Sequence, residues 1–249
     1  MKKRHLVYAI ALIVGMGACA ASAKKQAEAK PDVWKSYNVG TVLFEDKASE
    51  TKGSDIYHRI IPDAESYIKE QARTVLATLY NSPEDSITPV NKIHYTLEDI
   101  EGISAKGGGN GDVTIFYSTR HIEKSFAEND TAKLFFETRG VLLHELTHAY
   151  QLEPQGIGSY GTNRVFWAFI EGMADAVRVA NGGFDGPNAR PKGGNYMDGY
   201  RTAGYFFVWL RDNKDPEFLR KFNRSTLEVI PWSFDGAIKH ILGTEYSID

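Results

Sequence analysis

Alternating apolar and polar positions predict three strands in the first half of the chain. Ile93, Tyr95 and Leu97 alternate with polar residues, which is the period of two expected for a strand with one buried face. The predicted strands are 37–44, 92–97 and 113–118. The glycine-rich stretch 107–111 predicts a flexible turn before the last of them.

Apolar positions with a helical period predict helices in most of the remaining chain. Pro62 suits the first turn of one helix, and Gly182 with Gly183 suits the end of another. The predicted helices are 60–80, 131–151, 162–181, 195–210, 216–222 and 233–243. Strands early in the chain and helices late predict an α+β domain with an N-terminal sheet and a helical C-terminal lobe.

The helix 131–151 carries two histidines four residues apart, His144 and His148, with Glu145 between them. Residues at this spacing lie one turn apart on one helical face. Both imidazoles can therefore bind one Zn²⁺ at about 2.0–2.1 Å, and Glu145 can reach a water as general base. The alternative is a pair of ordinary core histidines that are bonded to backbone carbonyls.

The helix 162–181 offers a carboxylate that completes such a site. A catalytic zinc keeps three protein ligands and one open position for water. Glu171 and Asp175 lie four residues apart on a largely apolar stripe, where carboxylates are costly unless they are paired or metal-bound. We assign Glu171 as the third zinc ligand and Asp175 as acceptor of the second ring N–H of a ligating histidine. The alternative is a solvated acidic pair, partnered by Arg178.

Three segments of the chain resemble a known family. HELTHAYQ, IEGMADAVRVANGGF and YMDGYRTAGYFFVWL are similar to the plant-type basic secretory protein family, and the resemblance runs from about Val39 to the C-terminus. Members are gluzincin-type zinc peptidases, which implies a zincin-like fold with an N-terminal mixed sheet, an active-site helix and a helical C-terminal lobe. The resemblance also implies His144, His148 and Glu171 as zinc ligands and Glu145 as catalytic base, with peptides or proteins as substrates.

Related peptidases stabilise the oxyanion with a tyrosine or histidine from the C-terminal lobe. By this analogy we predict Tyr200 as a catalytic residue, with Tyr196, Tyr205 and His121 as rivals. This assignment depends on the resemblance, because helical spacing places most aromatic residues of the C-terminal third in the core.

Zincins also pair an extended substrate with the strand at the edge of the cleft. By position and resemblance, the strand 113–118 is the candidate, and a plain central strand is the alternative. The glycine-rich segment 182–194 follows the second zinc helix and could form the rim of the cleft or a lid.

The N-terminus has the features of a signal peptide. A basic start precedes a short apolar run and the small-residue cleavage site Ala21-Ser22-Ala23. We therefore predict a signal peptide at 1–23, a linker at 24–36 and a single two-lobed domain at 37–249. The protein is expected to be exported from a bacterial cell, to the periplasm, the cell surface or the medium. Cys19 lies in a loose lipoprotein cleavage box, so membrane attachment is expected only if Cys19 is lipidated.

Charge and composition narrow the classes of partner. The net charge is −3, the pI is near 6.2, and no run of Lys or Arg suggests binding to nucleic acid. Cys19 is the only cysteine, so no intramolecular disulfide can form.

The aromatic content of 12% permits a second function, a zinc-containing glycan- or surface-binding module without catalysis. Glu145 argues against that alternative, because a purely structural zinc does not need it. A zinc hydrolase of non-peptide bonds is the third possibility.

Overall fold

The computed structural model describes residues 32–125, 131–186 and 188–248. Within this part, the chain from Val33 onward forms one compact unit. The predicted signal peptide 1–23 with Cys19, and most of the predicted linker 24–36, lie outside the described residues. Trp34, near the end of that linker, is buried with 5% of its surface exposed.

A four-stranded mixed sheet forms the N-terminal half of the unit. Its strands are β1 (Thr41–Asp46), β2 (Lys92–Glu98), β3 (Ser104–Gly109) and β4 (Asp112–Ser118). They lie in the order β1-β2-β4-β3, with parallel pairing from β1 through β4 and antiparallel pairing between β4 and β3. Ile93, Tyr95 and Leu97 of β2 are all buried, as their alternation predicts.

The strand β3 replaces most of the flexible turn predicted at 107–111. Ser104–Gly109 pairs along its whole length with β4, and only Asn110 and Gly111 turn the chain. Both residues have a positive φ, 53° and 83°, which suits a two-residue hairpin turn. The sequence of β3 has almost no apolar side chains, so it is held as a strand by its pairing with β4.

This hairpin also corrects the prediction of the edge strand. The prediction that 113–118 edges the cleft is wrong, because β4 is hydrogen-bonded to β2 on one side and to β3 on the other. The alternative of a central strand is confirmed. The edge of the sheet on this side is β3, whose outer backbone groups are not used by a neighbouring strand of the described chain.

Eight helices accompany the sheet in the described part of the chain and confirm the α+β class. They are α1 (Lys52–Ile60), α2 (Ala64–Leu79), α3 (Thr119–Ser125), α4 (Thr131–Tyr150), α5 (Arg164–Ala180), α6 (Tyr200–Asn213), α7 (Phe218–Glu228) and α8 (Phe234–Leu242). The sequence did not predict α1 and α3. The helix predicted at 60–80 begins only at Ala64, because Asp63 accepts from the backbone N–H of Ser66 and caps it. None of these helices combines the length and hydrophobicity needed to cross a bilayer.

The helix predicted at 195–210 is interrupted at Gly199. A single 3-10 turn precedes it, and α6 begins at Tyr200. Gly199 has a φ of 65°, which favours glycine, and a Cβ there would lie 2.6 Å from the Trp167 ring. This close approach places Tyr200 edge-on to Trp167, with ring centroids 5.4 Å apart.

Close packing of α5 against α6 fixes the position of α5 in the core. Gly204 of α6 lies directly over the backbone of α5, and a Cβ there would be only 2.8 Å from the amide nitrogen of Ala176. Large aromatic side chains fill the space between the C-terminal helices. Those buried almost completely are Phe169, Phe207, Phe218, Phe222 and Trp232. A rigid α5 matters because this helix carries two residues of the candidate site.

Candidate metal centre

The helices α4 and α5 run antiparallel and carry the candidate site between them. Arg178, near the end of α5, bonds to Glu137 in the first half of α4, whereas Glu171 lies beside His148 near the end of α4. The two helices approach closely where α4 has Gly140. A Cβ at Gly140 would lie 2.3 Å from Nε of Arg178.

Three side-chain atoms converge between these helices. The Nε2 atoms of His144 and His148 are 3.1 Å apart, and Oε2 of Glu171 lies 3.3 Å from the first and 3.7 Å from the second. Ligand atoms at about 2.0–2.1 Å from a tetrahedral zinc are roughly 3.3–3.4 Å apart. The three residues are therefore placed to hold one small metal ion.

The Glu171 carboxylate has one engaged oxygen and one that lacks a partner. Its Oε1 accepts a hydrogen bond from the phenol of Tyr160 at 2.5 Å. Its Oε2 is buried and has no partner with hydrogen-bond geometry in the described part of the chain. A buried unpaired charged acceptor costs more than the roughly 1–3 kcal/mol of a neutral one, so the donor set and this oxygen fit a bound cation.

Asp175 orients the imidazole of His144. Nδ1 of His144 donates to Oδ1 of Asp175 at 2.7 Å, which turns Nε2 towards Glu171. Burial alone lowers the pKa of His144, but the hydrogen bond to Asp175 and the nearby carboxylate of Glu171 outweigh burial and raise this pKa to about 10. Burial likewise raises the pKa of Glu171, but the two imidazoles outweigh it and bring this pKa well below its usual range. The carboxylates of Asp175 and Glu171 thus favour positive charge between the two helices. A protonated imidazole supplies that charge, and a bound divalent cation would supply it as well.

Gln151 plays the corresponding part for His148. Its side-chain amide lies 2.9 Å from Nδ1 of His148, while its Oε1 is buried without a partner in the described chain. A histidine that binds metal through Nε2 carries its proton on Nδ1 and needs an acceptor there. Rotating the Gln151 amide by half a turn exchanges its oxygen and nitrogen and places Oε1 at that position as the acceptor.

The three candidate ligand residues line a cavity of about 880 Å³. Glu145 lines it beside the histidines and is 6% exposed. The edge strand β3 contributes another wall through Ser104, Ala105 and Lys106. The candidate ligands, a buried carboxylate and an unpaired strand edge therefore share one concave space, as expected of a site that binds a peptide.

Tyr200 also lines this cavity. Its ring is nearly parallel to that of His144, at an interplanar angle of 14° and a centroid distance of 6.1 Å. Burial raises the pKa of Tyr200, and the charges of Glu171, Asp175 and Glu145 raise it further. The phenol therefore stays protonated at neutral pH and is available as a hydrogen-bond donor.

The three rival donors are placed elsewhere. Tyr196 packs against an aromatic ring of α8, and Tyr205 donates to the backbone carbonyl of Phe184. His121 lies 3.2 Å from the carboxylate of Glu137. None of these three is among the described residues that line the cavity.

Sequence reasoning missed Tyr160 and Gln151 at this site. Gln151 lies three residues after His148 and directly follows α4, with its backbone N–H still bonded to the carbonyl of Thr147, so helical spacing could have found it. Tyr160 lies in the loop between α4 and α5, where no periodicity predicts which way a side chain points.

A His-His-Glu set with a neighbouring carboxylate in one cavity defines the class of site, a candidate metal-dependent hydrolytic centre. The family described as "Peptidase of plants and bacteria" (BSP) matches residues 39–248. The chain belongs to this family, which confirms the resemblance to basic secretory proteins and makes it a peptidase whose substrates are peptides or proteins. No curated protein and no solved structure matches the chain.

Proposed function

We propose that this protein is an exported zinc-dependent peptidase that uses Glu145 as general base. The observation that carries the proposal is the spacing of the three ligand atoms at 3.1, 3.3 and 3.7 Å, with Glu145 in the same cavity. Two imidazoles and one carboxylate are a ligand set typical of catalytic zinc. We propose that the segment 1–23 directs export as a signal peptide. N-terminal sequencing of the exported protein would show whether the mature chain begins near Lys24, after signal-peptide cleavage, or at Cys19, after lipidation.

His144, His148 and Glu171 would hold the zinc in this proposal. When bound, zinc lowers the pKa of a coordinated water towards neutrality and polarises the scissile carbonyl. Asp175 and Gln151 keep the two imidazoles oriented through their Nδ1 atoms. Glu145 takes the proton of the attacking water on its carboxylate and passes it to the nitrogen of the leaving amine.

The edge strand β3 is the proposed binding surface for the substrate backbone. Its outer N–H and C=O groups are not paired with another strand of the described chain, and its residues 104–106 line the cavity. A peptide that adds to such an edge is held mainly by main-chain hydrogen bonds. This arrangement orients the scissile bond towards the ligand residues without reading the sequence of the peptide.

The two cavity tyrosines are proposed to have different roles. Tyr160 holds Oε1 of Glu171 and leaves Oε2 for the metal, whereas Tyr200 makes no hydrogen bond to a ligand residue in the described chain and is half exposed. Tyr200 is therefore the proposed hydrogen-bond donor to the developing oxyanion. Removing such a donor lowers kcat by roughly 10²–10³-fold.

Tyr160→Phe and Tyr200→Phe separate these roles. We expect Tyr160→Phe to weaken zinc binding by roughly 10–100-fold, because an oxygen of the ligand loses its donor. Tyr200→Phe should leave zinc affinity unchanged and lower kcat. Competition with a chromogenic chelator measures the affinity, and casein hydrolysis at saturating zinc measures kcat. The opposite result, normal kcat in Tyr200→Phe and a loss of kcat in Tyr160→Phe at full zinc occupancy, would reassign the oxyanion donor to Tyr160.

Removal of the metal tests the proposed function itself. Dialysis against a chelator is expected to abolish casein hydrolysis, and zinc added back in equimolar amount should restore it. Hydrolysis that survives complete removal of metal would rule out the proposed mechanism. Restored zinc binding without hydrolysis of any peptide would favour the binding module or a non-peptide substrate.

A further inference from the structure

The cavity has two chemically different ends. Because α4 and α5 run antiparallel, the N-terminal half of α4 and the C-terminal half of α5 lie together at one end of the cavity. We call this the arginine end, and its lining residues are Glu137, Val141, Arg178, Phe184 and Arg201. The other end is lined mainly by uncharged side chains, with Glu153 as its exposed acid.

Within the arginine end, the charge of Arg178 is balanced by Glu137, and its side chain is held by contacts on both sides. Arg178 is 6% exposed, and its guanidinium bonds to Glu137 at 2.6 Å and lies 3.9 Å from the centre of the Phe184 ring. The backbone of Phe184 is held by the phenol of Tyr205. Arg178 and Phe184 thus form a rigid wall rather than a free charge.

Arg201 differs because its charge is not balanced. Its guanidinium lies 5.5 Å from the centre of the Phe184 ring, and it makes no ion pair with any described residue. Lys106 on the β3 wall of the cavity is likewise without an ion pair in the described chain. The nearby acid Asp175 is already bonded to His144. Five carboxylates also line the cavity, those of Glu137, Glu145, Glu153, Glu171 and Asp175. None of them forms an ion pair with Arg201 or Lys106 within the described residues, so these two cations remain available to a ligand.

A second cavity next to Arg201 has an excess of positive charge. This cavity of about 440 Å³ shares Tyr200 and Arg201 with the first and is also lined by Arg190 and Lys192. Neither Arg190 nor Lys192 forms an ion pair within the described residues. The acid in this second cavity, Asp198, accepts from the backbone N–H of Asn195.

The second cavity has three basic lining residues, Arg190, Lys192 and Arg201, and one acid, Asp198, although the whole chain has a net charge of −3. A concave surface with such an excess of one charge focuses the electrostatic field and attracts ligands of the opposite sign. An arginine side chain binds a carboxylate through two parallel hydrogen bonds, which makes it the residue best suited to select that group.

We propose that Arg201 binds a carboxylate of the peptide substrate and makes the enzyme selective for acidic peptides. The proposal rests on the proposed function, since it concerns the peptide that the zinc centre would cleave. The carboxylate comes either from an Asp or Glu side chain near the scissile bond or from the C-terminus of the peptide. Arg190 and Lys192 would favour further acidic residues beyond it.

The test compares peptides that differ in one charge. A casein-derived peptide that the enzyme cleaves is prepared with Glu or Gln at each of the three positions on either side of the scissile bond, with a free or an amidated C-terminus. We expect one position, or the free C-terminus, to raise kcat/KM by roughly tenfold over its neutral counterpart. A side-chain preference identifies an acidic residue, and a preference for the free C-terminus identifies a carboxypeptidase.

Variants of Arg201 connect that preference to the structure. Arg201→Gln should abolish the preference, so that the ratio of kcat/KM between the acidic and the neutral peptide falls to about one, and Arg201→Glu should reverse it towards peptides with Lys at the same position. Arg211→Gln is the matched control, because Arg211 lies on the same helix, pairs with Asp212 and is not among the residues lining either cavity. A wild-type enzyme without charge preference, or a preference that persists in Arg201→Gln, would overturn the proposal.

A binding measurement keeps this proposal separate from the proposed function. The fluorescence anisotropy of labelled casein-derived peptides, made with Glu or Gln at each position in turn and with a free or an amidated C-terminus, is measured with Glu145→Gln protein, with and without Arg201→Gln. Tighter binding of the acidic peptide that depends on Arg201 supports the carboxylate site even if no peptide is hydrolysed. Equal binding of the Glu and Gln peptides overturns it, whatever the hydrolysis assay shows.

Discussion

Replacing Glu145 with glutamine is expected to reduce peptide hydrolysis by roughly 10²–10⁴-fold, the usual contribution of a general base. Glutamine has nearly the same shape as glutamate but cannot take a proton from water. Because Glu145 is not one of the three residues placed to hold the metal, zinc content should not change. The measurement is kcat/KM for a casein-derived peptide, with zinc determined in the same samples.

Glu153→Gln is the matched control for this substitution. Glu153 also lines the cavity but is exposed, at the end away from Arg178, so its loss should leave hydrolysis within a few-fold of the wild type. Full activity in Glu145→Gln would remove Glu145 from the mechanism. Loss of zinc in that variant would show that the substitution disturbs the metal site rather than the proton transfer.

Replacing Glu171 with alanine should have the largest effect on zinc affinity. Its Oε2 is the buried oxygen that faces both imidazoles and lacks a hydrogen-bond partner among the described residues. Loss of a residue that only orients a ligand costs roughly 10–100-fold in metal affinity, and loss of the ligand itself should exceed that range. Competition with a chelator of known affinity measures the difference.

Asp175→Asn provides the comparison for Glu171→Ala. The asparagine side chain would keep an oxygen near Nδ1 of His144 but remove the charge that orients and polarises the imidazole, so a loss within the range of roughly 10–100-fold is expected. Zinc affinity that is unchanged in Glu171→Ala would mean that the third ligand lies elsewhere.

The helix-borne part of the site could be predicted from the sequence because helical spacing determines which side chains share a face. His144, His148, Glu171 and Asp175 are each four residues from a partner, and the structure brings all four together. What spacing could not provide was how α4 and α5 cross. That geometry depends on the close approach of Arg178 to Gly140 and on the packing of α5 against α6.

The parts that escaped prediction depend on contacts between distant segments. The strand β3 has no alternation of apolar and polar residues by which it could be recognised, and it is stabilised by its pairing with β4. This pairing makes β3, and not the predicted strand 113–118, the edge of the sheet. The break at Gly199, which sets the start of α6 at Tyr200, follows from the Trp167 ring behind it. Tyr160 reaches Glu171 from a loop, so only the folded chain shows this contact.

The proposed catalysis depends on one zinc ion bound by His144, His148 and Glu171. Elemental analysis of purified wild-type and Glu171→Ala protein, with casein hydrolysis measured on the same samples, tests this binding. We expect about one zinc per wild-type chain, and loss of both the zinc and the hydrolysis in the variant. Wild-type protein that hydrolyses casein without bound metal, or that binds no zinc when zinc is supplied, would contradict the proposal.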